Sequence, residues 1–158
     1  MKRNTNPRQQ LKYPVVIEIS DSHEVEGELL SSEMMCDGVL EELPPEFGGG
    51  WQLDYTEQSE GLEGSRAALR IQNSLVSLSR DGEFPLEITL EQGVRHSCYY
   101  NTPAGMMHLG VYARSVESDI SRGGGRIKLW YTLDLSSDLM SMNRMEIKVR
   151  RCERSYMA

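Results

Sequence analysis

Arg126-Ile127-Lys128-Leu129-Trp130-Tyr131-Thr132-Leu133-Asp134-Leu135 is the stretch whose reading decides the fold. Ile127, Leu129, Tyr131, Leu133 and Leu135 take every second place, a period of two that a half-buried strand explains and a helix does not. Met145, Ile147 and Val149 repeat the pattern against Arg144, Glu146, Lys148 and Arg150. Working back along the chain, the first strand is read over Tyr13 to Asp21, with Val15, Ile17 and Ile19 on one face. Ser22 to Met35 admits a strand or a short helical turn, and the alternation of Glu24, Glu26 and Glu28 with Val25, Gly27 and Leu29 favours the strand. Pro44-Pro45 ends the next run, and Gly48-Gly49-Gly50 turns the chain into Trp51 to Tyr55. Ala67, Leu69 and Ile71 lead through Asn73-Ser74 to Val76 and Leu78, the clearest hairpin. Leu86, Ile88 and Leu90 follow, then Val94 to Thr102, then Met107, Leu109, Val111 and Ala113. These runs predict an all-β domain, a single antiparallel up-and-down β-barrel of about eight to ten strands joined by short turns.

A chain of 158 residues fits one domain, and on the usual scaling such a domain buries roughly 70% of the surface that its unfolded chain exposes. Three regions are expected: a flexible basic N-terminal arm over 1–12, the barrel over 13–152 and a C-terminal tail over 153–158. Lys2, Arg3, Arg8 and Lys12 lie in a polar segment with no apolar stretch behind it, unlike a secretory signal, and no run is long enough to span a membrane as a helix. Cys36, Cys98 and Cys152 are odd in number and widely spaced, which signals neither a disulfide framework nor a zinc site and fits a reduced cytoplasmic setting. The net charge of −7 is unevenly spread: between Tyr13 and Gly64 there are 14 acids and no Lys or Arg. If the first strand lies beside the last, Glu18 meets Lys148 and Arg150 across the closing seam, each directly opposed pair contributing about 0.2–1 kcal/mol. The acidic excess argues against nucleic-acid binding, which draws most of its affinity from Lys and Arg contacts to phosphate.

Several segments together resemble a known family. They are Trp51-Gln52-Leu53-Asp54-Tyr55, Leu62-Glu63-Gly64, Tyr99-Tyr100-Asn101-Thr102-Pro103-Ala104-Gly105, and Gly123-Gly124-Gly125-Arg126-Ile127-Lys128-Leu129 running into Trp130-Tyr131-Thr132-Leu133. In order and spacing the region from about Asp37 to Arg151 is similar to the small bacterial proteins of a domain of unknown function with a calycin-like, or lipocalin-like, β-barrel. Tyr-x-Thr-Pro-x-Gly is the most specific part, and Ala104 stands where an aromatic is common in the family. The resemblance implies an up-and-down barrel and a bacterial cytoplasmic setting, with no established activity and no functional residues to carry over.

Candidate site residues come from the turn Thr102-Pro103-Ala104-Gly105. Pro103 fixes φ at the first central position, and Gly105 can take positive φ as a bulge after a type I turn. In that bulged register Thr102 pairs with Met106, Tyr100 faces His108 and His96 faces Tyr112, gathering His96, Tyr100, His108 and Tyr112 on one face as a candidate ligand-binding patch. Without the bulge Tyr100 meets Met107 and the group disperses. The apolar set Met107, Leu109, Val111 and Ala113 turns the shared face outward, where cross-strand pairs that only stabilise a hairpin are the alternative. Trp130 sits in the outward phase with Arg126 and Lys128, a candidate partner-binding patch; stacking on Arg or packing beneath a neighbouring loop would also account for it. Glu57, Glu60 and Glu63 read as a solvated loop, and the two Gly-Gly-Gly runs lack the Lys and the helix of a phosphate loop. No metal-ligand spacing and no cofactor motif is present.

Three functions follow in order of support. The first is a non-enzymatic binding module for a small apolar ligand in the barrel, provided that inward Leu69, Leu86, Ile88, Leu129, Tyr131 and Met145 do not fill it. The second is a protein-interaction or assembly module, for which a homodimer burying Trp130 would speak. The third is a hydrolase with His96 or His108 as a base, although neither has an evident partner.

Overall fold

Among the described residues ten strands form one antiparallel sheet in the order β6-β5-β4-β3-β2-β1-β10-β9-β8-β7. They are β1 Lys12–Val25, β2 Glu28–Glu42, β3 Trp51–Thr56, β4 Arg66–Gln72, β5 Leu75–Arg80, β6 Leu86–Glu91, β7 Arg95–Thr102, β8 Gly105–Ser118, β9 Gly124–Leu135 and β10 Asp138–Arg151. The structure is a computed structural model and describes residues 12–57, 64–82, 85–136 and 138–152; residues 1–11 of the expected arm, the expected tail and the loop carrying Glu60 and Glu63 lie outside these, while Lys12, expected in the arm, begins β1. Sequence neighbours other than β6 and β7 pair as hairpins, and β1 joins β10 in a nearly closed up-and-down barrel.

The ambiguous segment is strand, and longer than the alternation suggested. Glu26 and Gly27 both take positive φ (52° and 80°) and turn β1 directly into β2, the two-residue geometry whose twist matches its flanking strands. Ile17 meets Val149 and Glu18 meets Lys148 across the β1–β10 ladder, so the acidic and basic halves do face each other at the closing pair. One interruption remains. Among the described residues no ladder joins β6 to β7; the Glu91–Val94 bridge closes their turn, and the Gly93 amide donates to the Ala113 carbonyl of β8 at 2.8 Å.

The inward phase builds the core. Val15, Ile17, Leu40, Leu53, Leu69, Val76, Leu90, Val111, Ile127 and Ile147 are essentially without solvent contact, so one half of the lumen is solid hydrocarbon. Glycine enters where backbones crowd. A Cβ at Gly38 would meet the Ile17 side chain and lie 2.6 Å from the Asp54 carbonyl oxygen, at the point where β2 begins to pair with β3. A Cβ at Gly110 would meet the Arg95 guanidinium and lie 2.6 Å from Asp134 Oδ1; its absence lets the Arg95–Asp134 ion pair (2.7 Å) cross β8 from β7 to β9.

Candidate functional site

The turn Thr102-Pro103-Ala104-Gly105 adopts the register without a bulge. Thr102 pairs with Gly105, Tyr100 with Met107, His96 with Val111 and Arg95 with Tyr112. Gly105 does take positive φ (117°), but the two central residues close the hairpin alone, and the shift of one residue moves alternate side chains to opposite faces. The four expected residues are therefore divided. His96 and Tyr100 share the inward phase with Cys98 and Leu109, whereas His108 and Tyr112 point out. His96 Nε2 lies 3.0 Å from Glu91 Oε1 beside the β6–β7 turn. His108 packs its ring 5.2 Å from that of Tyr99, which is 74% exposed on the outer face.

Trp130 is half-buried rather than free. Arg144 lies over one part of its ring at 4.4 Å and Arg114 at 4.8 Å, a stacked arrangement that satisfies the aromatic face with cations from both neighbouring strands. Arg126 reaches Glu146 at 3.5 Å, and Lys128 sits opposite Glu117 and Glu146 in register.

The inward phase changes character at one level of the barrel. On β1 the series Val15, Ile17, Ile19 continues to Asp21; on β5, Val76 and Leu78 continue to Arg80; on β10, Val149, Ile147 and Met145 continue to Asn143 and Ser141. Glu57 follows Leu53 and Tyr55 in the same sense. Register brings these ends together: Asp21 lies between Ser32 and Met145, His23 beside Asn143, Asn143 opposite Tyr131, and Ala67 connects Tyr55 to Arg80. The result is a chamber of mixed character, about 170 Å³, toward the end of the barrel, where Asp21, Ser32, Tyr55, Glu57 and Arg80 interrupt apolar walls that include Met34, Leu78 and Met145. An open groove of about 870 Å³ adjoins it, sharing Tyr55, Ala67, Ser79, Arg80 and Leu86, so Arg80 stands between chamber and surface.

Burial governs the chemistry of this chamber. It raises the Asp21 carboxyl above the ordinary carboxylate value; His23 offsets the rise in part and Glu57 adds to it. Burial also lifts the hydroxyls of Tyr55 and Tyr131 well above the usual phenol range, with Glu57 and Asp21 respectively adding to the effect. Both remain neutral hydrogen-bonding groups. Asp21 Oδ1 and Arg80 Nε are buried and find no hydrogen-bond partner among the described residues, while Asn143 Nδ2 donates to Ser141 Oγ at 2.9 Å. The Cys36 and Cys98 thiols are raised by burial as well, which keeps them protonated and poor nucleophiles. Among the described residues no group of three or more His, Cys, Asp and Glu is placed to hold a metal ion, and no helix is long and apolar enough to cross a membrane.

Residues 17–147 match the model of a domain of unknown function, DUF1934. The chain belongs to the DUF1934 family. Among solved structures it is similar to the ywiB protein from Bacillus subtilis, with a TM-score of 0.78 at 18% identity, covering 90% of this chain and 94% of that one. That likeness carries the barrel fold of a DUF1934 domain and no chemistry. No curated protein matches the chain. The chamber residues had a sequence signal that pairing His and Tyr within one hairpin overlooked: Asp21 and Arg80 are charged residues in the inward phase of otherwise apolar strands.

Proposed function

We propose that this protein is a calycin-like, non-enzymatic binding module of the bacterial cytoplasm, which takes a small molecule with apolar and polar parts into the polar end of its barrel. The observation that carries the reading is the coincidence of a chamber lined by Asp21 and Arg80 with two buried atoms of these residues, Asp21 Oδ1 and Arg80 Nε, that have no hydrogen-bond partner among the described residues. A protein optimised only for stability would fill this end as it fills the other. Met34, Leu78 and Met145 supply the apolar contact expected of a barrel ligand, and the two sulfur-bearing side chains adapt to its shape. The raised Cys36 and Cys98 thiols, with His96 beside Glu91 and His108 against the Tyr99 ring, favour binding over hydrolysis.

Native mass spectrometry of the protein purified from its own host tests this. The expected result is a reproducible adduct on the order of a hundred daltons, since a chamber of this size holds about five or six water-sized groups, and its loss when Arg80 is replaced by Met. A clean apo mass at every collision energy would sink the reading. The assembly reading, a homodimer through Trp130, Arg126 and Lys128, has less support because Trp130 and Arg126 already engage partners within the chain; a concentration-independent monomer in the same spectra would remove it.

A further inference from the structure

We infer that the molecule held in the chamber is a small amino-acid-type zwitterion, with its ammonium group turned to Asp21, its carboxylate to Arg80 and its apolar side against Met34, Leu78 and Leu86. The inference deepens the binding reading above and rests on it. It starts from two buried polar atoms that lack a hydrogen-bond partner among the described residues. Asp21 and Arg80 stand four strands apart around the barrel and both line the chamber, yet they do not pair with each other, and Asp21 Oδ1 and Arg80 Nε have no hydrogen-bond partner among the described residues. Buried charged groups persist when something pairs with them, because their desolvation is otherwise uncompensated. An occupant that satisfies both must offer a donor at one end and an acceptor at the other.

The surrounding charges decide which end is which. Asp21 feels the charges of His23 and Glu57, and Asp21 and Glu57 are the two carboxylates that line the chamber. Arg80 comes from β5, the opposite side, beside Tyr55 and Ser79. A lone anion would be repelled by Asp21 and Glu57, and a lone cation would leave Arg80 unsatisfied. A guanidinium also prefers the planar oxygen pair of a carboxylate to a single neutral acceptor. The chamber size restricts the class to compounds of roughly amino-acid dimensions, and Met34, Leu78 and Leu86 favour an apolar side chain.

The test has two arms. In the first, the adduct on protein from its own host is released and identified by accurate mass and by reaction with an amine-selective reagent; one amine and one carboxylate are expected. In the second, thermal melts are recorded with each of the twenty common amino acids at millimolar concentration, and the best one is compared with its deaminated and decarboxylated analogues. Removing either pole is expected to weaken binding about tenfold or more, as are Asp21→Asn and Arg80→Lys, both chosen to keep volume and fold. A released ligand lacking either group, or analogues that bind as well as the parent, would overturn the zwitterion while leaving a binding module in place. No adduct and no shift with any amino acid would overturn both.

Discussion

The two ends of the lumen are built from the same strands in the same phase and have opposite character. At one end Ile17, Leu40, Leu53, Leu69 and Leu90 are fully buried; toward the other, inward positions hold Asp21 and Arg80 on the wall of a chamber, with Asn143 further along β10. The comparison separates what folds this barrel from what it is for. Alternation commits every second residue to the interior whatever its chemistry, so a polar side chain in that phase is buried by its neighbours rather than by its own preference. Where stability alone governs, such positions become apolar; three strands breaking the rule at one level point to a second requirement.

Leu53→Ala at the packed end gives the largest effect expected. It should cost about 2–5 kcal/mol through lost transfer energy and the cavity left behind, measured by urea denaturation, while Met34→Ala at the polar end costs markedly less because the chamber already adjoins it. Equal costs at the two ends would erase the distinction between them. Asp21→Asn is expected to act in the opposite direction, raising stability by about 1 kcal/mol at neutral pH because a desolvated carboxylate becomes neutral. The sign of the pH dependence follows. Burial holds the folded Asp21 carboxyl above the ordinary carboxylate value, so the native state holds the proton more tightly than the unfolded chain, and stability falls as pH rises above the ordinary carboxylate range. Urea midpoints across mildly acidic pH should show this decline weakened in Asp21→Asn; an unchanged slope would place the carboxylate in water. The smallest effect belongs to the outer face. Arg144→Ala removes one of the two cations over Trp130 and should cost about 0.5–1 kcal/mol, with tryptophan emission reporting the exposed ring; an unaltered spectrum would mean that Arg114 alone covers it.

Much of the fold was legible because its signal is local. Ile127 to Leu135 announce a strand with one buried face, and Asn73-Ser74 announces a hairpin, without any knowledge of what lies opposite. The register of the Thr102–Gly105 turn was not legible, since Pro103-Ala104-Gly105 is compatible with a bulge or a two-residue closure and the choice is made by Met107, Leu109 and Val111 seeking the core. The length of the first hairpin was hidden because Glu24, Glu26 and Glu28 keep alternating through the turn itself. The chamber required more. Asp21 and Arg80 are 59 residues apart and become neighbours of one space only once the strands between them and the β1–β10 ladder have fixed their levels, which no single segment encodes.

That ladder also orders events in time. Ile17 pairs with Val149 and Ile19 with Ile147, contacts separated by almost the whole described chain, whereas every other ladder joins strands adjacent in sequence. Local hairpins can form as each is synthesised, but the first strand must wait for the last before the cylinder exists, and loop-closure entropy makes this the slow step. Until then β1 keeps an open edge with Val15, Ile17 and Ile19 beside it, so the newborn chain is most prone to association with another copy in the interval before β10 arrives.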